Sequence, residues 1–232
     1  MDELAQLPCR QFKDGAWNAL EDTAAREVLV TLVLENGKTI QLWAFPQDLS
    51  DLALGHALLD HCPPGQLPGV TELSPGEFAA HFSPASAPRP APWPTPLAAQ
   101  DILEAAARFM ELPGHFHTTG CFHLAALYDP AGRALIHHTE DIGRHNCLDR
   151  LAGFALRRRL VLGRMALFVT ARATASLVAK AVRSGYGVMI SRSAVTTAAV
   201  QLARAAGMTL VGFSRENRFS VFTDPHGRVD QN

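Results

Sequence analysis

The amino-acid sequence predicts an α/β fold preceded by a small β-rich unit, on three observations. From residue 96 onward, short apolar runs alternate with amphipathic stretches of ten or so residues, the mark of βαβ units on a largely parallel sheet. Before residue 83 the punctuation is that of hairpins. Between the two lies SPASAPRPAPWPT, residues 83–95, whose prolines make a stiff extended connector. The expected organisation is therefore 1–82, 83–95 and 96–232, with no internal repeat.

The elements follow in order. Val28–Leu34 is β-branched and apolar, Asn36-Gly37 accepts the positive φ of a tight turn, and 38–43 returns as the second strand. Asp48 or Ser50 caps a helix running to about Asp60, with Leu49, Leu52, Ala53, His56 and Leu59 at helical spacing. Pro63-Pro64-Gly65 ends it. Beyond the connector, Thr95-Pro96 opens a helix to about Met110. Residues 123–128 and 133–138 flank Asp129-Pro130-Ala131-Gly132 as a hairpin. Helices at 146–158, 174–183 and 196–206 then alternate with strands at 165–170, 188–191 and 209–213, and a short strand at 219–222 closes the series.

Composition excludes several classes. The chain has 232 residues, 47% of them hydrophobic and 19% charged, with a formal net charge of -1. That suits one main globular domain with an appendage and is too apolar for a disordered chain. No apolar run approaches the ~20 residues of a membrane span. The opening MDELAQLPCRQFKDG lacks the apolar centre of a signal peptide, so a soluble cytoplasmic protein is expected. Cys9, Cys62, Cys121 and Cys147 are far apart and form no CxxC, which argues for free thiols and against a structural zinc knot or a thioredoxin-type redox pair, and no metal site is expected. Charge is unevenly shared: residues 1–116 hold six Lys and Arg against fifteen Asp and Glu, residues 117–232 fifteen against seven. Two readings stand, halves that attract each other or a partner subunit, and an anionic ligand on the C-terminal half.

In an open α/β sheet, ligands gather beyond the carboxyl ends of the strands. Here three successive strand ends each deliver arginine beside small polar residues. They are Arg172 with Thr174, Arg192 with Ser193, and Ser214-Arg215-Glu216-Asn217-Arg218. Two of these loops open helices, whose free N–H groups favour an anion. Ser and Thr there also serve as ordinary N-caps. Neither GxxxxGK[ST] nor GxGxxG occurs, so a nucleotide or pyrophosphate ligand would be held by another route. The densest polar segment is Thr139-Glu140-Asp141-Ile142-Gly143-Arg144-His145-Asn146, which either caps the following helix or lines a pocket with Thr118, Thr119, Gly120, Cys121, Phe122 and His123. Cys121 follows glycine in a polar loop suited to a thiolate.

These residues carry a resemblance to the formate dehydrogenase accessory sulfurtransferase family, FdhD. Its pattern runs TGG-x-H, ED-x-GRHN-x-x-D-K, SGR-x-S, SRSAPT and TLVGF-x-RG. Thr119-Gly120-Cys121-Phe122-His123, Glu140 to Asp149, Thr170 to Thr174, Ser191 to Thr196 and Thr209 to Phe222 are similar to it, in the same order. The resemblance implies a cytidine-deaminase-like three-layer core with a mixed sheet. It implies binding of the molybdenum bis(molybdopterin guanine dinucleotide) cofactor, with Phe213, Ser214, Arg215, Glu216, Asn217 and Arg218 on the guanine nucleotide and Arg144, His145, Asn146, Arg172, Arg192 and Ser193 beside them. It further implies sulfur taken from a cysteine desulfurase as a persulfide, delivery toward formate dehydrogenase, and a homodimer. The chain departs from the pattern at Ala171, Val195 and Glu216, and it lacks the family's CxxC. Cys121 is the candidate sulfur carrier in its place, and a cofactor-binding chaperone without sulfur chemistry is the alternative. The zinc signature of deaminases is absent, and the basic half lacks the aromatic interleaving of a nucleic-acid binder.

Overall fold

The computed structural model describes residues 3–85 and 92–230. Residues 86–91 of the proline-rich connector lie outside them. The chain opens with an antiparallel hairpin, β1 (Leu4–Lys13) and β2 (Ala16–Ala25). A second sheet follows, built from β3 (Val28–Leu34), β4 (Thr39–Ala44), β5 (Gln66–Ser74) and β6 (Glu77–Pro84) in the order β4-β3-β6-β5. Between β4 and β5 runs α1 (Leu49–His56), extended by one π-turn, Ala57–His61. Alternation along β3 turns Val30, Leu32 and Leu34 inward onto Leu52 and Ala53 of α1 and Phe78 of β6. The β3–β4 turn is where Asn36-Gly37 predicts it, with Gly37 at φ 79°.

The body begins with α2 (Ala99–Met110) and the single turn α3 (Phe116–Thr119). Then come β7 (His123–Asp129), β8 (Ala134–Asp141), α4 (Arg144–Arg158), β9 (Ala166–Val169), α5 (Ala175–Arg183), β10 (Val188–Ser191), α6 (Thr197–Ala205), β11 (Thr209–Arg215) and β12 (Arg218–Thr223). The six strands form one mixed sheet in the order β12-β11-β10-β9-β7-β8, with β9, β10 and β11 mutually parallel. One face buries Leu148 and Leu151 of α4, Leu177 and Val178 of α5, and Ala199 and Ala203 of α6. The other buries Ile102, Ala105 and Phe109 of α2. The result is the three-layer mixed α/β arrangement expected, with the β-rich unit attached. No helix of the described residues is long and apolar enough to cross a membrane.

The β-rich unit is joined to the body by close backbone contact and by buried charge. Helix α1 crosses α4 where both carry glycine. A Cβ on Gly55 would lie 1.7 Å from the Asp149 carbonyl oxygen, and one on Gly153 would lie 2.0 Å from that of Asp51. Beside the crossing, Arg150 is 2% exposed. Its guanidinium donates to Asp141 Oδ2 at 2.9 and 2.6 Å, to the Phe45 carbonyl at 2.6 Å and to the Gln47 carbonyl. The other Asp141 oxygen accepts from Gly143 N at 2.8 Å and Asn146 Nδ2 at 2.9 Å. On the far side of α4, Lys180 donates to Asp149 and Asp60 at 2.7 Å each, and Arg183 donates to Asp60 at 2.7 Å.

Two substitutions test this junction by urea unfolding. Gly153→Ala forces the helices apart and should lower stability by about 1–3 kcal/mol, the usual range for overpacking. Arg150→Met leaves Asp141 buried without its counter-charge and should cost about 3–5 kcal/mol, with partial recovery in Arg150→Met/Asp141→Asn.

Candidate functional site

The predicted loops open along one edge of the six-stranded sheet. In spatial order they are 213–218 at the β11–β12 turn, 191–196 at the end of β10, 170–174 after β9, 120–123 leading into β7, and 141–146 from the end of β8 into α4. Strand β7 runs antiparallel to β9, so its beginning lies beside the end of β9. Neighbouring strands stand about 4.8 Å apart, so the four steps from β11 to β8 span roughly 19 Å.

The loop backbones are fixed by one another. Arg192 N donates to Val169 O at 2.9 Å, Ala173 N to Ala194 O at 2.9 Å, Thr196 N to Ala173 O at 3.1 Å and Phe213 N to Ser193 O at 2.9 Å. Ser191 Oγ donates to Ala171 O at 2.8 Å and accepts from Ser193 N at 3.0 Å. The side chains of Arg172 and Arg192, by contrast, are exposed. Arg215 stands directly opposite Arg218 in the β11–β12 register. Like charges so placed repel. They line a cleft of about 210 Å³ with Phe213 and Ser220. Phe213 at φ 53° and Glu216 at φ 57° hold left-handed backbone that is uncommon for residues with a side chain. Asn217 is exposed at the same turn, and Ser214, 4% exposed, has a buried hydroxyl without a hydrogen-bond partner.

At the other end of the row, Arg144 is the first residue of α4, and its Nε is buried without a partner. His145 Nε2 lies 3.2 Å from Ser176 Oγ on α5. Asn146 turns inward, its amide nitrogen donating to both Asp141 and the Trp43 carbonyl. Its contacts therefore serve the junction with the β-rich unit. Among the described residues, none of Arg144, Arg172, Arg192, Arg215 and Arg218 makes an ion pair, whereas Arg150, Arg157 and Arg183 do.

Two histidines register this uncompensated charge. His123 is held below the ordinary imidazole value of 6.5 by burial, and further by Arg144 and Arg172. His145 is lowered by burial, then by Arg144 and Lys180. Sequence reasoning placed His123 near the site without seeing its two arginines, which arrive from different loops.

Of the four cysteines, Cys121 is the exposed one. It follows Gly120 at φ 65°, and its backbone N–H donates to Thr119 Oγ1 at 3.2 Å. Its loop lies between those of Arg172 and Arg144. Cys147 is buried in α4, and burial drives its thiol far above the ordinary range. Burial also raises the half-buried Cys62.

Two polar clusters lie outside the sequence-derived set. A cavity of about 240 Å³ is lined by Gln47, Asp48, Gly114, His115, His138 and Glu140, with Glu140 gripping His115 Nδ1 at 2.5 Å. Farther in, His56, Asp60 and Asp149 converge at the spacing of metal ligands. The cation among them is the Lys180 ammonium.

Comparison with known proteins gives the family and the fold. The FdhD/NarQ family model matches residues 74–229. A Staphylococcus aureus (strain MRSA252) protein named sulfur carrier protein FdhD is 37% identical over 134 residues, 58% of this chain and 50% of that one. The protein of the same name from Staphylococcus haemolyticus (strain JCSC1435) is 40% identical over 110 residues, 47% and 41% of the two chains. The matched region thus spans about half the length of these relatives or less. A crystal structure of a formate dehydrogenase accessory protein from Desulfotalea psychrophila shares the fold, with a TM-score of 0.82 over 98% of this chain and all of that one at 22% identity.

The histidines give a direct test of the field along the edge. Both imidazoles are kept neutral by the fold, so the stability they confer is complete above about pH 6.5 and lost as pH falls below it toward their folded values. In an NMR titration both should protonate below 6.5. Arg172→Ala should raise the midpoint of His123 and leave that of His145 in place.

Proposed function

Because the chain belongs to the FdhD/NarQ family, we propose that it is a formate dehydrogenase maturation factor that binds the molybdenum bis(molybdopterin guanine dinucleotide) cofactor as its client and carries sulfur for it. The observation behind this reading is the exposed Cys121 set within a row of arginines that have no carboxylate partners. A row of roughly 19 Å suits an extended dinucleotide better than a single phosphate. Arg215 and Arg218, with the unpartnered Ser214 hydroxyl, supply donors for the nucleotide end, and Phe213 offers an apolar wall. Arg172, Arg192 and Arg144 continue the positive strip toward Cys121.

Sulfur loading follows from thiol exchange. The Cys121 thiolate attacks the outer sulfur of a persulfide on a cysteine desulfurase, the donor's S–S bond breaks, and its electron pair leaves on the donor's own thiolate. Cys121 then holds the sulfur as a persulfide beside the client. The four free thiols suit the cytoplasm, where such a donor works. A second reading, a cofactor-binding chaperone without sulfur carriage, draws on the lack of any CxxC in the sequence.

Intact mass after incubation with a cysteine desulfurase and cysteine separates the two. A thiol-reversible gain of one sulfur atom, lost in Cys121→Ala, is the expected outcome. No gain in a protein that still binds guanosine diphosphate leaves the chaperone. In calorimetry Arg215→Ala should weaken that nucleotide by about tenfold or more, the worth of one charge-assisted hydrogen bond, and added salt should weaken the wild type. Unchanged affinity in the variant would remove the nucleotide from this end of the edge.

A further inference from the structure

Cys121 sits beside the neck of a short loop, and one residue closes that neck. The thiol's own residue is held lightly, its N–H donating to Thr119 Oγ1 within the same loop. Phe122, which follows it, is buried and packs edge-on against Phe45 with ring centroids 4.8 Å apart. The His115 ring lies 5.4 Å from both. Residues 115 and 122 therefore meet, and residues 116–121 loop out between them. Further ties converge on His115. Its carbonyl accepts from Thr118 N at 3.0 Å and Thr119 N at 3.2 Å, and its own N–H donates to Glu140 Oε2 at 2.7 Å. Its Nδ1 lies 2.5 Å from Glu140 Oε1 and its Nε2 3.3 Å from Glu3 Oε2. Both carboxylates receive a ring hydrogen bond only when both nitrogens carry a proton. A Cβ on Gly114 would lie 2.5 Å from Glu140 Oε2, so this grip needs glycine before His115. Glu3 in turn closes the root of the β1–β2 hairpin, its carbonyl accepting from Arg26 N at 3.1 Å.

We infer that His115, gripped by Glu140 and Glu3, is the positioning residue for Cys121, holding its thiol between the Arg144 and Arg172 loops and tying its placement to the root of the hairpin. The inference rests on Cys121 as the reacting thiol of the proposed function. Glu140 is 7% exposed and has His115 as its ion-pair partner. A buried carboxylate that loses its partner is costly, so the grip is maintained. The junction of the β-rich unit with the body is held elsewhere by Arg150, Lys180 and the crossing of α1 with α4. The His115 contacts end instead on the loop that carries the exposed thiol. Cys121 is one residue from the closed neck and inherits its rigidity, whereas His117 and Thr118 lie exposed at the far side. Placement matters because the attraction of an arginine for an incoming anion falls with distance and is screened within about 8–10 Å in salt. A thiol released from the neck would spend its time outside that field.

Thiol–disulfide exchange tests it, in a Cys9→Ser/Cys62→Ser background that leaves Cys121 exposed and Cys147 buried. Two small aromatic disulfides are compared, one carrying two carboxylates and one neutral. The Cys121 thiolate attacks one sulfur, the S–S bond breaks and the coloured aromatic thiolate leaves, so absorbance gives each rate. The folded chain should favour the anionic reagent about tenfold more than the chain in urea does, because a positive field concentrates anions. Glu3→Gln should cut that preference about two- to fivefold, the worth of a partly exposed ion pair. His115→Ala and Glu140→Gln should cut it further. Loss of a carboxylate acting through the field alone would raise the preference, so a fall in Glu3→Gln reports position. With a cysteine desulfurase as donor, these variants should load sulfur more slowly at saturation with the half-saturating donor concentration unchanged. Glu3 is 38% exposed, so its variant keeps the test open if Glu140→Gln does not fold. A preference retained in folded Glu3→Gln and His115→Ala would overturn the inference, as would a wild type with no preference beyond that of the chain in urea. A preference that falls in the variants of a protein that takes up no sulfur would leave the clamp standing and remove the sulfur-carrier reading.

Discussion

The buried pair of Asp141 and Arg150 holds the architecture together, because each end of it reaches a different part of the chain. Asp141 closes β8 and, through Gly143 and Asn146, shapes the turn that starts α4. Arg150, two turns into that helix, carries the charge that makes a buried carboxylate tolerable and extends it to the carbonyls of Phe45 and Gln47. Desolvating two ions offsets most of their attraction, so the pair adds modestly to net stability. Its larger effect is on position. The β-rich unit, the end of β8 and the first turn of α4 can satisfy their polar groups together in one arrangement, and that arrangement brings Arg144 and His145 to the sheet edge.

The arginines divide into two populations with different physical roles. Arg183 and Arg157 meet Asp60 and Asp51 across the boundary between the β-rich unit and the body, which is where the acidic first half and basic second half of the sequence attract each other. Arg150 pairs with Asp141 within the body while reaching two carbonyls of the β-rich unit. Those at the strand ends have no such partner, and the imidazoles of His123 and His145, lowered first by burial, are lowered further by Arg144 together with Arg172 and Lys180 respectively. Both readings of the charge asymmetry therefore have residues to support them. An uncompensated row of arginines along one sheet edge is a surface suited to an anion.

Much of this was legible in the sequence. Helix and strand alternation beyond residue 96 follows the pattern closely, because each element there buries one full face against a sheet. The edge loops were legible too, since strand ends in such folds deliver their following residues to one side. Strands β1, β2, β5 and β6 escaped: the first two have no buried face to impose alternation, and Pro68, Gly69 and Pro84 interrupt the others. The inner role of α4 was equally hidden. Asn146, Asp149 and Arg150 are types more often found on a helix's outer face, yet these and Gly153 are all buried because α1 lies across them. No local pattern announces a partner helix that arrives from a hundred residues away.

The hydrogen bonds that lace the strand-end loops have a thermodynamic consequence. Val169 to Arg192, Ala173 to Ala194 and Ser193 to Phe213 make the edge backbone a continuation of the sheet. A ligand arriving there has little loop entropy to remove. What it must immobilise is the arginine side chains, at about 0.5–1.5 kcal/mol each. Five such side chains are a substantial opposing sum, so tight binding requires that several be engaged at once. A short anion touching one or two would be held weakly and released quickly, while an extended, multiply charged molecule would gain from each successive contact. A stiff backbone carrying loose charges would thus grade ligands by their length.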